Sequence, residues 1–220
     1  MAPRDEDALV RAVMDGDLDR VKQLIADDPT LAGARDGDGI SAVLHARYRD
    51  AQEILAVLLA AGPELDVFEA AAVGDGERVR ALLNGEPELI GAFSPDGYTP
   101  LHLAAFFGHA TVVSDLVRRG ADLRAVARNA MAVTPLHSAA AAGRSEVAEI
   151  LVGAGAPVDN RQAGGWTPLH SAAQNGDREL VGFLLARGAD PSVSNDAGKT
   201  PGDLASEHGH EDVLALLGAR

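Results

Sequence analysis

A chain of 220 residues with a formal net charge of -14 and no cysteine excludes several classes of protein from the start. The acidic field repels phosphate and no basic stripe interrupts it, so neither nucleic acid nor an anionic membrane surface is an expected partner. Without cysteine there is no disulfide framework and no thiolate metal site, and no stretch approaches membrane-spanning length free of charge, which together predict a cytoplasmic protein.

Taken in chain order, the elements form a repeated pair of short helices parted by a helix-breaking residue. Gly16, Asp50, Gly74, Gly108, Gly143, Gly176 and Gly209 mark seven such pairs, spaced 34, 24, 34, 35, 33 and 33 residues apart. A period of this kind decides the architecture before any residue is given chemistry. The approximate units are 4–35, 36–62, 63–93, 94–128, 129–161, 162–194 and 195–217, in a single domain written as 1–220. Unit two is degenerate, reading Gly39-Ile40-Ser41-Ala42-Val43-Leu44-His45-Ala46. Unit three is short: Gly62 to Gly74 leaves room for a turn feeding straight into a helix, with no projecting hairpin. Units four, five and six carry Thr-Pro-Leu-His at Thr99–His102, Thr134–His137 and Thr167–His170, and unit seven opens Thr200-Pro201-Gly202-Asp203. Between units four and five, the segment Arg124 to Val133 is two residues longer than its counterparts. These two irregularities predict a shallow notch at unit three beside a raised apolar finger at unit five.

The parts of the motif have physical reasons. Thr caps the helix and Pro is tolerated in the first turn, where its missing N–H would be unpaired anyway. Leu101, Leu136 and Leu169 face the core, while the alanine pairs Ala104-Ala105, Ala139-Ala140 and Ala172-Ala173 keep the first helix thin enough for close stacking. The second helix carries apolar residues at helical spacing, for example Val147, Ile150 and Leu151. These residues resemble the ankyrin repeats, whose signature is Thr-Pro-Leu-His, an Ala, a Gly-His at the second helix and a closing Gly-Ala. The resemblance implies an all-α solenoid of about seven stacked helix-turn-helix units with short β-hairpin loops. Alanine-, glycine-, arginine- and aspartate-rich usage adds an association with a bacterial source.

A search for chemistry finds no catalytic constellation and points to no cofactor and no metal. His102, His137 and His170 recur once per repeat, about 10 Å apart by ordinary helix spacing, whereas one ion needs its ligand nitrogens about 2 Å away. The resemblance implies instead that each imidazole bonds backbone in its own turn and in the next. His210 takes the Gly-His position and braces the loop, with His208 exposed beside it. Ser138 and Ser171 adjoin histidines but point elsewhere on the helix, and no orienting acid recurs. The chain therefore reads as a non-enzyme.

Recognition is the expected role. In ankyrin-like proteins the hairpin tips and the exposed end of the first helix form a concave, partner-binding face. Carried over, unit two presents Gly37, Asp38, Ile40, Tyr48 and Arg49, and the sequence holds eight aromatic residues, of which four, Tyr98, Phe106, Phe107 and Trp166, fall on the matching positions of units four and six. With Met131 and Val133 between them, and Asp96, Gln174 and Asn175 at the rim, they compose the expected site. Aromatic side chains at the centre of a contact face are its usual anchors. The alternative is bracing, with Phe106 and Phe107 packed on the finger and Tyr98 and Trp166 on their own hairpins. The expected partner is an unidentified protein, drawn toward the N-terminal half if its surface is basic, since residues 1–93 hold 19 acidic against 9 basic side chains. It would meet an adaptor or inhibitor; a homodimer through the same face is the structural alternative.

Overall fold

The computed structural model describes residues 3–218; Met1, Ala2, Ala219 and Arg220, included in the expected 1–220 domain, lie outside the described residues. Helices alternate between an inner and an outer layer. The pairs are α1 (Pro3–Asp15) with α2 (Leu18–Asp27), α3 (Ala42–Tyr48) with α4 (Gln52–Ala60), and α5 (Val67–Val73) with α6 (Gly76–Gly85). They continue as α7 (Pro100–Phe107) with α8 (Ala110–Arg118), α9 (Pro135–Ala141) with α10 (Ser145–Gly153), α11 (Pro168–Gln174) with α12 (Arg178–Ala186), and α13 (Pro201–Glu207) with α14 (Glu211–Gly218). Each inner helix packs on the next, from α1 to α13, and the outer helices stack α2 on α4 and α6 through α14 in series.

The stack is held by thin layers. Ala104, Ala105, Ala139, Ala140, Ala172 and Ala173 are completely buried, so the backbones of α7, α9 and α11 approach where larger side chains would hold them apart. Leu101, Leu136 and Leu169 are buried between those layers, each contributing about 1.5–3 kcal/mol of apolar burial. All seven helix-breaking residues have left-handed backbone, with Asp50 at φ 53 the one that is not glycine.

The connections are not β-hairpins, contrary to the sequence expectation: among the described residues there is no strand, only an isolated bridge between Arg35 and Ser41. The reason is length. The turns at Asp36–Ile40, Ser94–Tyr98, Gln162–Trp166 and Asn195–Lys199 are each closed by two backbone bonds, for example Asp36 N to Ile40 O with Gly39 N to Asp36 O. The helix N-cap residue follows at once, so no residues remain to extend a ladder. Single bonds also tie neighbouring turns, Arg128 N to Gly97 O, Ala163 N to Met131 O and Asp196 N to Gly164 O.

The two irregular loops differ as their lengths require. Between α4 and α5 no such turn forms, whereas in unit five Ala127 N bonds Val133 O across a wider turn. The place of the missing turn is not an open notch, however. A Cβ on Gly39 would lie 3.3 Å from Pro95 Cγ, so the tips of units two and four meet across it.

The recurrent histidines act between units. His137 Nδ1 accepts from Thr134 N and Oγ1 at 3.3 and 2.8 Å, while its Nε2 donates to Trp166 O of the next unit at 3.2 Å. His102 and His170 repeat the pattern with Val133 O and Lys199 O. His109 and His210 brace the outer junction, donating to Ala72 O and Gln174 O. Leu44 sits where the motif places its first histidine, and the matching carbonyl of unit three, Leu65 O just before the Asp66 cap, takes Arg78 Nε at 2.8 Å instead.

Candidate functional site

The turn tips and the ends of the inner helices enclose a cavity of about 240 Å³ between units two, four and five. Its buried lining comes from regular elements: His102 and Leu103 of α7, His137 and Ser138 of α9, and Val133 at the base of the finger. Its exposed lining is Tyr48, Phe106 and Met131, which are 38%, 40% and 52% accessible, with Ala141 at the end of α9. Tyr98 and Gln162 complete the wall. No charged residue lines it. Burial pulls the His102 and His137 imidazoles down to about 4, so both are neutral at neutral pH and the chamber carries no net charge.

Tyr48 closes the side of the cavity left bare by unit three. Its hydroxyl donates to Asp96 Oδ2 at 2.5 Å, and its ring lies 5.8 Å from that of Phe107. Burial and then the Asp96 carboxylate raise the Tyr48 phenol well above its ordinary range, so it stays protonated as the donor. Arg47 covers the same Phe107 ring at 4.2 Å and bonds Ala72 O through Nε. Phe107 in turn meets Phe106 edge-on at 5.2 Å, an arrangement that suits the ring quadrupoles. A chain of contacts therefore runs from unit two to the mouth of the cavity.

Of the eight residues expected at the site, Tyr98, Phe106, Met131 and Val133 come together around the cavity. The Tyr98 hydroxyl lies 3.6 Å from the Met131 sulfur and its ring 6.0 Å from that of His102. Phe107 is half-buried behind them against Tyr48 and Arg47. Trp166 sits one unit further on, its ring 5.8 Å from His170. Asn175 Nδ2 donates to Ala140 O and Ala141 O at 3.2 and 3.1 Å, and Gln174 is half-buried beside it. Sequence reasoning placed Tyr48 among the presented residues without joining it to the aromatic group; the 24-residue spacing was the signal that could have done so. Ser138 and Gln162 carry no such signal.

The other charged clusters are structural. Glu69, 2% accessible, closes the cap of α5 through Asp66 N and pairs with Arg35 at 3.0 Å. Asp115 joins Arg80 at 2.8 Å and Arg118 between outer helices. Among the described residues no group of three or more His, Cys, Asp or Glu is placed to hold a metal ion, and no helix is long and apolar enough to cross a membrane.

Layered helix pairs joined by capped turns and cross-linked by one histidine in each of units four, five and six define a stacked-repeat binding scaffold. A family description, ankyrin repeats (3 copies), matches residues 67–162 and 136–220, and the chain belongs to the ankyrin repeat family. It is 32% identical over 127 residues to a probable E3 ubiquitin-protein ligase, XBOS31, of Oryza sativa subsp. japonica, covering 53% of this chain and 28% of that protein. It is also 44% identical over 48 residues to human ankyrin repeat domain-containing protein 49, covering 22% of this chain and 20% of that protein. A mouse protein, ankyrin repeat and SAM domain-containing protein 6, is 33% identical over 87 residues, covering 36% of this chain and 10% of that protein. The chain thus spans under a third of the length of each of these relatives. Protein–protein interaction is the general role that family membership gives it.

Proposed function

We propose that the chain is a non-enzymatic adaptor or inhibitor that takes a protein partner on its concave face, over units four to six. The observation that carries this reading is the uncharged cavity at the junction of turn tips and inner helices, with Phe106 and Met131 exposed at its mouth. Apolar side chains held in the open around a concavity are suited to anchoring a partner. Tyr98 and Val133 supply further contact area, and Trp166, Gln174 and Asn175 extend the face along unit six. Asn175 is already bonded to Ala140 O and Ala141 O and the Trp166 ring is packed beside His170, which lowers the entropy lost when a partner docks on them.

The test is capture of partners from native lysate by the tagged chain and by its Phe106→Glu, Met131→Glu variant. Both residues are exposed, so the melting temperature is expected to stay within a degree or two of the parent. A protein retained by the parent and lost by the variant supports the reading; equal retention by both sinks it. The alternative, self-association through the same face, predicts a dimer of the 22.7 kDa chain that the variant dissociates, measured by light scattering.

A further inference from the structure

We propose that the cavity between units two, four and five is a socket for one uncharged aromatic side chain of the partner, a tyrosine or a tryptophan, flanked in its own segment by lysine or arginine. The inference rests on the concave-face reading and names the chemistry that face selects.

Size comes first. A void of about 150 Å³ is enough to hold benzene, so about 240 Å³ takes a ring-bearing side chain and leaves no room for a helix or strand. Polarity comes next. An ammonium, guanidinium or carboxylate in this chamber would lose water and find no counter-charge, because its lining holds no charged residue and such burial is costly. Aliphatic occupants are not favoured either. Rings of Tyr48, Tyr98, Phe106, His102 and His137 form much of the wall and reward an aromatic edge or face.

Two polar groups distinguish tyrosine and tryptophan from phenylalanine. Ser138 and the half-buried Gln162 both line the cavity, and neither side chain has a protein hydrogen-bond partner among the described residues. Both polar groups are therefore open to the chamber, whereas the imidazoles of His102 and His137 are already bonded. A phenol or indole N–H gives them a partner. Outside the chamber the sign changes. Asp38 and Asp96 sit on turn tips brought together by the Gly39–Pro95 contact, and neither carboxylate is in an ion pair among the described residues. At the helix ends the rim is basic, with Arg144 Nε on Phe106 O at 3.2 Å and Arg47 over Phe107, so a cationic residue beside the aromatic anchor fits the turn-tip side. A second copy of the chain does not supply the key: among the described residues, apart from the socket's own Tyr48, Phe106 and Met131, its exposed large apolar residues are Met14 and Val126, neither with a ring.

The probes are fluorescein-labelled peptides Gly-Lys-X-Lys-Gly with X as Tyr, Trp, Phe or Glu, titrated by fluorescence anisotropy. The Tyr and Trp peptides are expected to bind at least tenfold tighter than the Glu peptide and several-fold tighter than the Phe peptide. Ala141→Trp, which adds bulk at an exposed lining position, should weaken the Tyr peptide at least tenfold with an unchanged melting temperature. Ser138→Ala with Gln162→Leu should erase the Tyr-over-Phe preference, a readout that loss of folding would not mimic. Absence of binding at millimolar peptide, indifference to X, or tight Tyr binding by the folded Ala141→Trp variant overturns the socket. The concave-face reading is judged separately, by whether Phe106→Glu with Met131→Glu releases the captured partner.

Discussion

Tyr48, the last residue of α3, donates its hydroxyl to Asp96 at the tip of the unit-four turn, reaching 48 residues along the chain and across the whole of unit three. That reach exists because unit three has no turn of its own to stand between them. In unit two Leu44 occupies the motif histidine's place, and the carbonyl such a histidine would bond, Leu65 O, accepts from Arg78 Nε. In unit three Glu69 holds the corresponding position of α5, so Tyr98 O in unit four has no histidine donor from behind. There the Ser94 Oγ lies 3.0 Å away instead, its single proton shared with the nearer Asp96 Oδ1. The missing turn therefore lets Tyr48 meet Asp96 and supplies one wall of the cavity.

Tyr48→Phe is expected to cost about 0.5–1.5 kcal/mol, the usual worth of one hydrogen bond, because the ring contact with Phe107 survives. Tyr48→Ala removes both and should cost about 2 kcal/mol or more. Urea unfolding of the two variants, combined with Asp96→Ala in a double-mutant cycle, should give a coupling near 1 kcal/mol for the Tyr48–Asp96 pair. A coupling of zero would mean that the bond does no more than hydration would.

Replacing an inter-unit histidine is a heavier change. His137→Ala leaves Trp166 O and the Thr134 amide and hydroxyl short of a partner inside the stack, and should cost about 2–4 kcal/mol. Asn175→Ala, which frees two carbonyls at a more exposed site, should cost about 1 kcal/mol. Urea midpoints for the two variants should fall in that order.

Much of this fold is legible in the sequence because its rules are local. Thr-Pro caps, alanine pairs and left-handed breakers state where helices begin, how closely they stack and where they stop. The β-hairpins fail because the family resemblance carries strand pairing into tight turns closed by two backbone bonds, with the N-cap residue Thr167 or Thr200 following immediately. The cavity was half legible: Tyr98, Phe106, Met131 and Val133 share it by repeat position alone. Tyr48 belongs to it only through a contact spanning two units, and Phe107 turns away for the same reason, since Tyr48 and Arg47 occupy its faces. Local pattern does not encode a partner two units distant.

Stability should depend on pH through the buried imidazoles. Burial lowers His102 and His137 to about 4 in the folded chain, against about 6.5 when unfolded. Between those values the unfolded state binds more protons, so stability rises with pH. The contribution is complete above about pH 6.5 and drains away as pH falls toward 4. Urea midpoints should therefore drop steadily from pH 7 to pH 4.5, and a His137→Gln variant should show a shallower fall. A flat profile in the parent would contradict the burial assignment.

Contact between the turn tips is testable at one glycine. Gly97 has φ +88, and a Cβ there would lie 2.6 Å from the carbonyl oxygen of Arg128 in the finger. Gly198 has a similar φ of +77 with open space around it. Gly198→Ala should cost about 1 kcal/mol from backbone strain alone. Gly97→Ala adds a backbone clash and should cost about 2–3 kcal/mol, while shifting the finger and weakening whatever the cavity binds. Equal melting temperatures for the two variants would show that the finger does not rest on unit four.

Strain of the opposite kind sits in the finger itself. Ala132, between Met131 and Val133, has φ 48, a conformation that costs an L-residue about 1–2 kcal/mol and glycine almost nothing. Ala132→Gly relieves that strain, but glycine also has more freedom to lose on folding, about 0.5–1 kcal/mol. The balance predicts a stabilisation of about 0.5–1 kcal/mol, seen as a rise in melting temperature. Affinity should move the other way. The finger holds Met131 and Val133 at the cavity, and a glycine hinge between them loosens that placement, so partner binding should weaken even as the fold gains. A variant that is both more stable and tighter in binding would show that the left-handed alanine has no part in shaping the site.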